Sequence, residues 1–110
     1  MLAETNRKRR GHGFYPTKSA RIPAIGATEN VADPMVRAHY FVGSWDWYVT
    51  EYDPETGEAF GFVKGLESEL GYFYLPEMEA VLARGIFPVE RDLHWDPIPL
   101  SKVMPAYAID

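Results

Sequence analysis

The stretch WDWYVTEYDPETGEAFGFVK, residues 45–64, restricts the fold more than any other part of the chain. Trp45, Trp47 and Val49 alternate with Asp46, Tyr48 and Thr50. Only a strand converts that two-residue period into one apolar and one polar face. The run stops at Asp53 and Pro54 and resumes after Thr56 and Gly57. Pro54 presets the second position of a turn and Gly57 accepts positive φ, so the two runs read as a β-hairpin. In this reading the indoles fill the core, and the turn acids Asp53 and Glu55 keep the other side soluble.

The flanking segments extend the pattern. MVRAHYFV, residues 35–42, places Val36, Ala38, Tyr40 and Val42 on one strand face. LESELGYFYL contains a turn and a strand, with Phe73 opposite Tyr72 and Tyr74. LPEMEAVLAR, residues 75–84, reads as the one helix: Pro76 suits its first turn, and Glu77 and Glu79 suit its positive N-terminal end. Leu75, Met78, Val81 and Leu82 form its apolar stripe, and Arg84 and Gly85 end it. PVERDLHW supplies a last short strand, and DPIPLSKVMP closes with a helical turn. The order β-β-β-β-α-β predicts an α+β domain, a small antiparallel sheet of four or five strands with one main α-helix packed on one face.

The 110 residues suit one domain with a single modest core. Charge divides the chain in two. Residues 1–27 hold six basic side chains and one acid, whereas residues 28–110 hold five basic and fifteen acidic ones, a body of net charge −10. The expected organisation is a flexible basic N-terminal arm over 1–15 and one acidic α+β domain over 16–110. An acidic body repels nucleic acid and attracts basic partners. The absence of cysteine removes disulfides, thiolate zinc sites and cysteine nucleophiles, and fits a cytoplasmic location. No apolar run approaches the ~20 residues of a membrane span, and the charged N-terminus has no apolar stretch behind it.

Three clusters are candidates for chemistry. On the hairpin, Asp46, Tyr48 and Glu51 offer a polar binding face. In GLESELGYF, Glu67 and Glu69 stand between Gly65 and Gly71, too few oxygens for a calcium loop. Gly57, Gly61 and Gly65 recur every four residues but lead into no helix, so they cradle no phosphate. VERDLHWDPIP is the densest polar cluster. On a strand, Glu90, Asp92, His94 and Asp96 share one face, with Arg91, Leu93 and Trp95 on the other. A histidine flanked by acids serves as a tuned base or a metal ligand, yet a metal shell needs three or four ligands and only the distant His12 and His39 remain. No serine lies in a Gly-x-Ser-x-Gly elbow. No metal and no cofactor is expected. Arg7, Lys8, Arg9 and Arg10 are a candidate phosphate-contacting arm.

IPAIGATENVADPMV, WDWYVTEYD, FGFVKGLESELGYFYLPEMEAV and VERDLHWDPIPLSKV, taken in order, resemble a family of small uncharacterised bacterial proteins common on plasmids, phages and integrative elements. The likeness runs from Thr17 to Val103, and the family is classed as a domain of unknown function. Similar members begin with a Leu- and Glu-bearing helix where this chain has YPTKSAR, and they carry an insertion between TEYD and FGFV that is short here. The resemblance carries over the acids at Glu51, Glu67 and Glu69, the run Glu90, Arg91, Asp92, and Trp95, with no role attached.

These observations lead to a non-catalytic protein-binding module of mobile-element origin, working through its acidic surface. One concrete form is a counter-defence inhibitor, anti-CRISPR or anti-restriction, occupying the groove of a nucleic-acid-binding defence complex. Two alternatives stand beside it. One is a small-ligand-binding or hydrolytic domain around Glu90, Arg91, Asp92 and His94. The other is an accessory nucleic-acid binder acting through the N-terminal arm.

Overall fold

The computed structural model describes residues 2–104. A single helical turn, α1 (Arg7–Arg10), precedes five strands: β1 (Met35–Val36), β2 (Ala38–Val42), β3 (Trp45–Tyr52), β4 (Glu58–Lys64) and β5 (Ser68–Tyr74). A short helix α2 (Leu75–Ala80) is followed by four two-residue strands, β6 (Leu82–Ala83), β7 (Phe87–Pro88), β8 (Glu90–Arg91) and β9 (Ile98–Pro99). The main sheet is antiparallel throughout, in the order β5-β4-β3-β2-β8; β1 pairs with β9 and β6 with β7.

The hairpin alternation forms β3 and β4, joined by the 53–57 turn. Gly57 there adopts φ 84°, and its N–H donates to the Asp53 carbonyl at 2.8 Å. A second hairpin joins β2 to β3 through Gly43 and Ser44 alone, pairing Val42 with Trp45 and His39 with Tyr48. Gly43 at φ 57° supplies the positive φ that so tight a turn requires. The register of β3 shifts between Val49 and Glu51, a bulge that leaves Thr50 buried between them.

The expected α+β class is corrected: the protein is mostly β, and no main helix packs on the sheet. α2 spans six residues of the ten in LPEMEAVLAR. Val81 is extended, at φ −85° and ψ 139°, and Leu82 and Ala83 pair with Phe87 and Pro88. Arg84 and Gly85 both take positive φ, 54° and 73°, and turn that hairpin instead of capping a helix. The β-branched Val81 loses little on leaving a helix, and the apolar residues after it gain a ladder.

Both faces of the sheet are apolar, and both are covered by short or irregular segments. On one face Ala38, Tyr40, Val49 and Ala59 pack with Phe14, Leu75 and Val89. On the other Phe62 packs with Val36 and Leu100, flanked by Tyr48, Leu70 and Trp95. The expected single face for 35–42 is thereby split. The chain breaks between β1 and β2, so Val36 enters the second core while Ala38 and Tyr40 enter the first.

Residues 2–15, expected as a flexible arm, lie against the body. The Thr5 and Asn6 N–H groups donate to the Glu79 carboxylate, each at 2.8 Å, and the Asn6 amide donates to the Glu79 carbonyl. The Arg10 guanidinium is fully enclosed. It donates to Glu79 at 3.0 Å and to the Val89 carbonyl at 2.7 Å, and lies over the Phe14 ring at 4.5 Å. Of the unit expected over 16–110, residues 105–110 lie outside the described residues.

Gly61 tests the close approach of β3 and β4. A Cβ there would penetrate the Tyr48 carbonyl oxygen, whereas at Gly71 on β5 nothing lies within 4 Å. Gly61→Ala is expected to destabilise the protein by about 1–3 kcal/mol, and Gly71→Ala to stay within about 0.5 kcal/mol. Chemical denaturation of the two variants checks both values.

Candidate functional site

Against Tyr48 and Trp95, which flank the second core, a polar cluster centres on His39. Pairing of β2 with β3 sets His39 beside Tyr48, with ring centroids 4.8 Å apart and planes 9° from parallel. His39 Nε2 lies 2.7 Å from Asp46 Oδ1, and Nδ1 lies 2.9 Å from Asp92 Oδ2. Trp95 closes the cluster, its centroid 5.0 Å from His39 and its indole N–H donating to the Val36 carbonyl at 2.9 Å. Both ring nitrogens of His39 are thereby engaged by carboxylate oxygens. Burial raises the Asp92 carboxyl, but hydrogen bonds from His39 and from the His94 backbone N–H outweigh it and hold the group below the ordinary carboxylate range. Burial, with the Asp46 charge beside it, pushes the Tyr48 hydroxyl up.

The other sequence candidates separate. Glu51 is buried, accepting the Gly26 N–H at 2.7 Å, the Thr28 N–H at 3.0 Å and the Thr28 hydroxyl, and so pins the 24–31 loop to the sheet. Glu90 takes His12 Nε2 at 2.8 Å. Arg91 donates from Nε to the Gly13 carbonyl at 2.9 Å and, with Asp92, lines a polar cleft of about 220 Å³. His94 and Asp96 are exposed, and the His94 backbone N–H donates to Asp92 at 3.0 Å. The strand expected through 90–96 ends at Arg91, so Asp92 and Trp95 turn to the same histidine rather than to opposite faces. Among the described residues no three His, Asp or Glu side chains converge where a metal ion would sit. Arg7, Lys8 and Arg9 are exposed, and Arg10 is withdrawn from the arm by Glu79.

A different feature dominates the opposite face. Two recesses of about 480 and 490 Å³ share Val42 and Ala83 as a common wall. Phe41, Phe87 and Pro88 line the first; Trp45, Trp47, Phe73, Met78 and Val81 line the second. The rings of Trp45 and Trp47 stack at 5.7 Å, and Trp45 keeps 37% of its surface exposed, Val81 52% and Phe87 55%. Glu77 lies on the rim of the second recess, and Glu67 and Glu69 stand on the other side of Trp45. Among the described residues none of these three carboxylates has a cationic partner. The sequence reading placed Trp45 in the core and missed the groove, because it carried α2 through Val81. It also missed His39. The Gly-Ser pair at 43–44 was the available signal, since a two-residue turn sets the register that puts His39 opposite Tyr48.

Three hydrogen-bonded carboxylates, two of them buried, make stability pH-dependent. Glu51, Glu79 and Asp92 all have native pKa values below their ordinary values: burial raises each, and the hydrogen bonds they accept lower it further. Depressed carboxyl pKa values stabilise the native state above the unfolded value and cease to do so as pH falls through the native one. The denaturation midpoint is therefore expected to hold steady down to about pH 4.5, the ordinary Glu value, and to decline below it. Glu79→Gln should shrink that acid decline, as read from denaturant midpoints across pH.

No curated protein and no solved structure matches the chain. A family model described as a protein of unknown function matches residues 18–108, which take in both the His39 cluster and the groove, and the chain belongs to that family, DUF2958.

Proposed function

We propose that the protein is a binding module for a polypeptide segment that carries apolar anchors next to lysine or arginine. The observation that supports this is the exposed Trp45, set in an apolar groove and bordered by Glu67, Glu69 and Glu77, which have no cationic partner among the described residues. Apolar groups exposed in one concave patch with a polar rim have the character of an interaction surface. A tryptophan face beside carboxylates attracts a cation by ring quadrupole and by charge together. The surrounding body, with fifteen acids against five bases over residues 28–110, adds long-range attraction for the same partner. Aliphatic and aromatic side chains would enter the groove between Trp47, Phe73 and Val81, and the basic side chain would lie over Trp45.

A counter-defence inhibitor of mobile-element origin, seated in the nucleic-acid groove of a defence complex, is a narrower form of the same reading. Its support is the charge of the body alone. The arrangement of Glu90, Arg91, Asp92 and His94 favours no hydrolytic reading, since Glu90 is held by His12 and His94 stands apart from the cleft.

Two synthetic peptides with one apolar sequence, flanked in one case by Lys and Arg and in the other by Glu, test the proposal by tryptophan fluorescence at low salt. The basic peptide is expected to bind, to weaken as salt rises, and to lose about tenfold or more in affinity, roughly 1.4 kcal/mol, on Trp45→Ala. Failure of the basic peptide to bind, or equal binding of both peptides, would overturn it.

A further inference from the structure

The fifteen acids and five bases of residues 28–110 make an unpaired cation in this body unusual, and two of the five bases, Arg37 and Arg91, line the same cleft. Among the described residues neither has a carboxylate within the 4.0 Å of an ion pair. Arg37 stands at the break between β1 and β2, its backbone N–H donating to the Val49 carbonyl at 2.9 Å. The bond from Arg91 Nε to the Gly13 carbonyl orients its fork, and among the described residues neither terminal nitrogen has a hydrogen-bond partner. Thr17, which caps the 3₁₀ turn Lys18–Ala20, and Ser19 within that turn also line the cleft, and their hydroxyls lie 2.7 Å apart. Arg21, a non-glycine residue at φ 51°, ends that turn in a left-handed conformation, the kind of local strain that persists where the surroundings enforce it. The one carboxylate in the lining, Asp92, has both oxygens occupied, one by His39 and one by the His94 N–H.

We infer that this cleft is an anion site, in which Arg37 and Arg91 bind a single phosphate or carboxylate group with the Thr17 and Ser19 hydroxyls beside it. Guanidinium forks match planar and tetrahedral oxyanions through paired N–H donors. The volume of about 220 Å³ restricts the ligand. It lies below the roughly 300 Å³ at which pockets for drug-sized molecules begin, and at about 30 Å³ per water it holds one oxyanion and a few waters. The ligand class is therefore a small anion or the anionic end group of a larger molecule. The cleft shares no lining residue with the apolar groove, and the inference does not depend on the peptide-binding reading.

The experiment titrates the full chain with inorganic phosphate, with acetate, and with sodium chloride at matched ionic strength, following backbone amide shifts by NMR and the melting temperature. Saturable shifts at residues 17–20 and 91–93 with a millimolar Kd, absent with chloride, are expected; the tighter of phosphate and acetate assigns the group. Arg37→Gln is expected to weaken binding about tenfold or more, the equivalent of about 1.4 kcal/mol, and Arg84→Gln, outside the cleft, to leave it unchanged. Arg91→Lys, which keeps the charge and removes the fork, is the second variant and is expected to weaken it as well. Shifts that chloride reproduces, shifts that never saturate, or binding retained in both cleft variants would overturn the inference.

Discussion

A sheet with two apolar faces must be covered twice, and this chain does so almost without helix. That constraint governs the rest of the molecule. Irregular segments laid over a sheet have no ladder to satisfy their backbone donors, and buried N–H groups left unpaired are costly. Side-chain carboxylates fill the gap. Glu79 accepts the N–H groups of residues 5 and 6, Glu51 those of 26 and 28, and Asp33 that of Ser101, while Asp92 accepts that of His94. Each bond to a charged acceptor is worth more than a neutral one, and those to Glu79, Glu51 and Asp33 join segments distant in sequence.

This changes the meaning of the negative charge. Read as a total, fifteen acids form a diffuse field. In the structure they divide by role. Glu51 and Glu79 are internal fasteners with almost no surface, and Asp46 and Asp92 share one histidine. Glu67, Glu69 and Glu77 stand around Trp45 without a cation among the described residues. Only acids of the last kind are available to a partner. The basic residues divide in the same way: Arg10 is spent internally against Glu79, whereas Arg37 and Arg91 line a cleft with, among the described residues, no carboxylate in ion-pairing reach.

The groove follows from the shortness of α2. Leu75 and Met78 reach the first core, but the chain then leaves the helix and doubles back through β6 and β7. Had the helix continued to Arg84, Leu82 would have followed the same stripe onto the sheet. Instead the hairpin stands beside the Trp45 and Trp47 end of the sheet, and Val81 and Phe87 remain more than half exposed. Trp47 and Phe73 there pack partly against the first core, while Trp45 beside them stays exposed.

Local chemistry alone determined the β3–β4 hairpin, because strict alternation, Asp-Pro and Thr-Gly act within a few residues and need no distant partner. The same local rules bounded the strand at 68–74 and the helical turn near the C-terminal end, and exposed the contrast between a basic beginning and an acidic body. Tertiary structure decided what those rules leave degenerate. Val81 to Arg84 satisfy a helical stripe and a strand pair alike, and only the gain from pairing Leu82 and Ala83 with Phe87 and Pro88 selects the strand. The convergence of His39, Asp46 and Asp92, separations of 7 and 53 residues, depends on the order of strands in the sheet. So does the difference between a carboxylate that holds a loop and one that faces solvent, since burial is set by what packs above a residue and not by its neighbours in sequence.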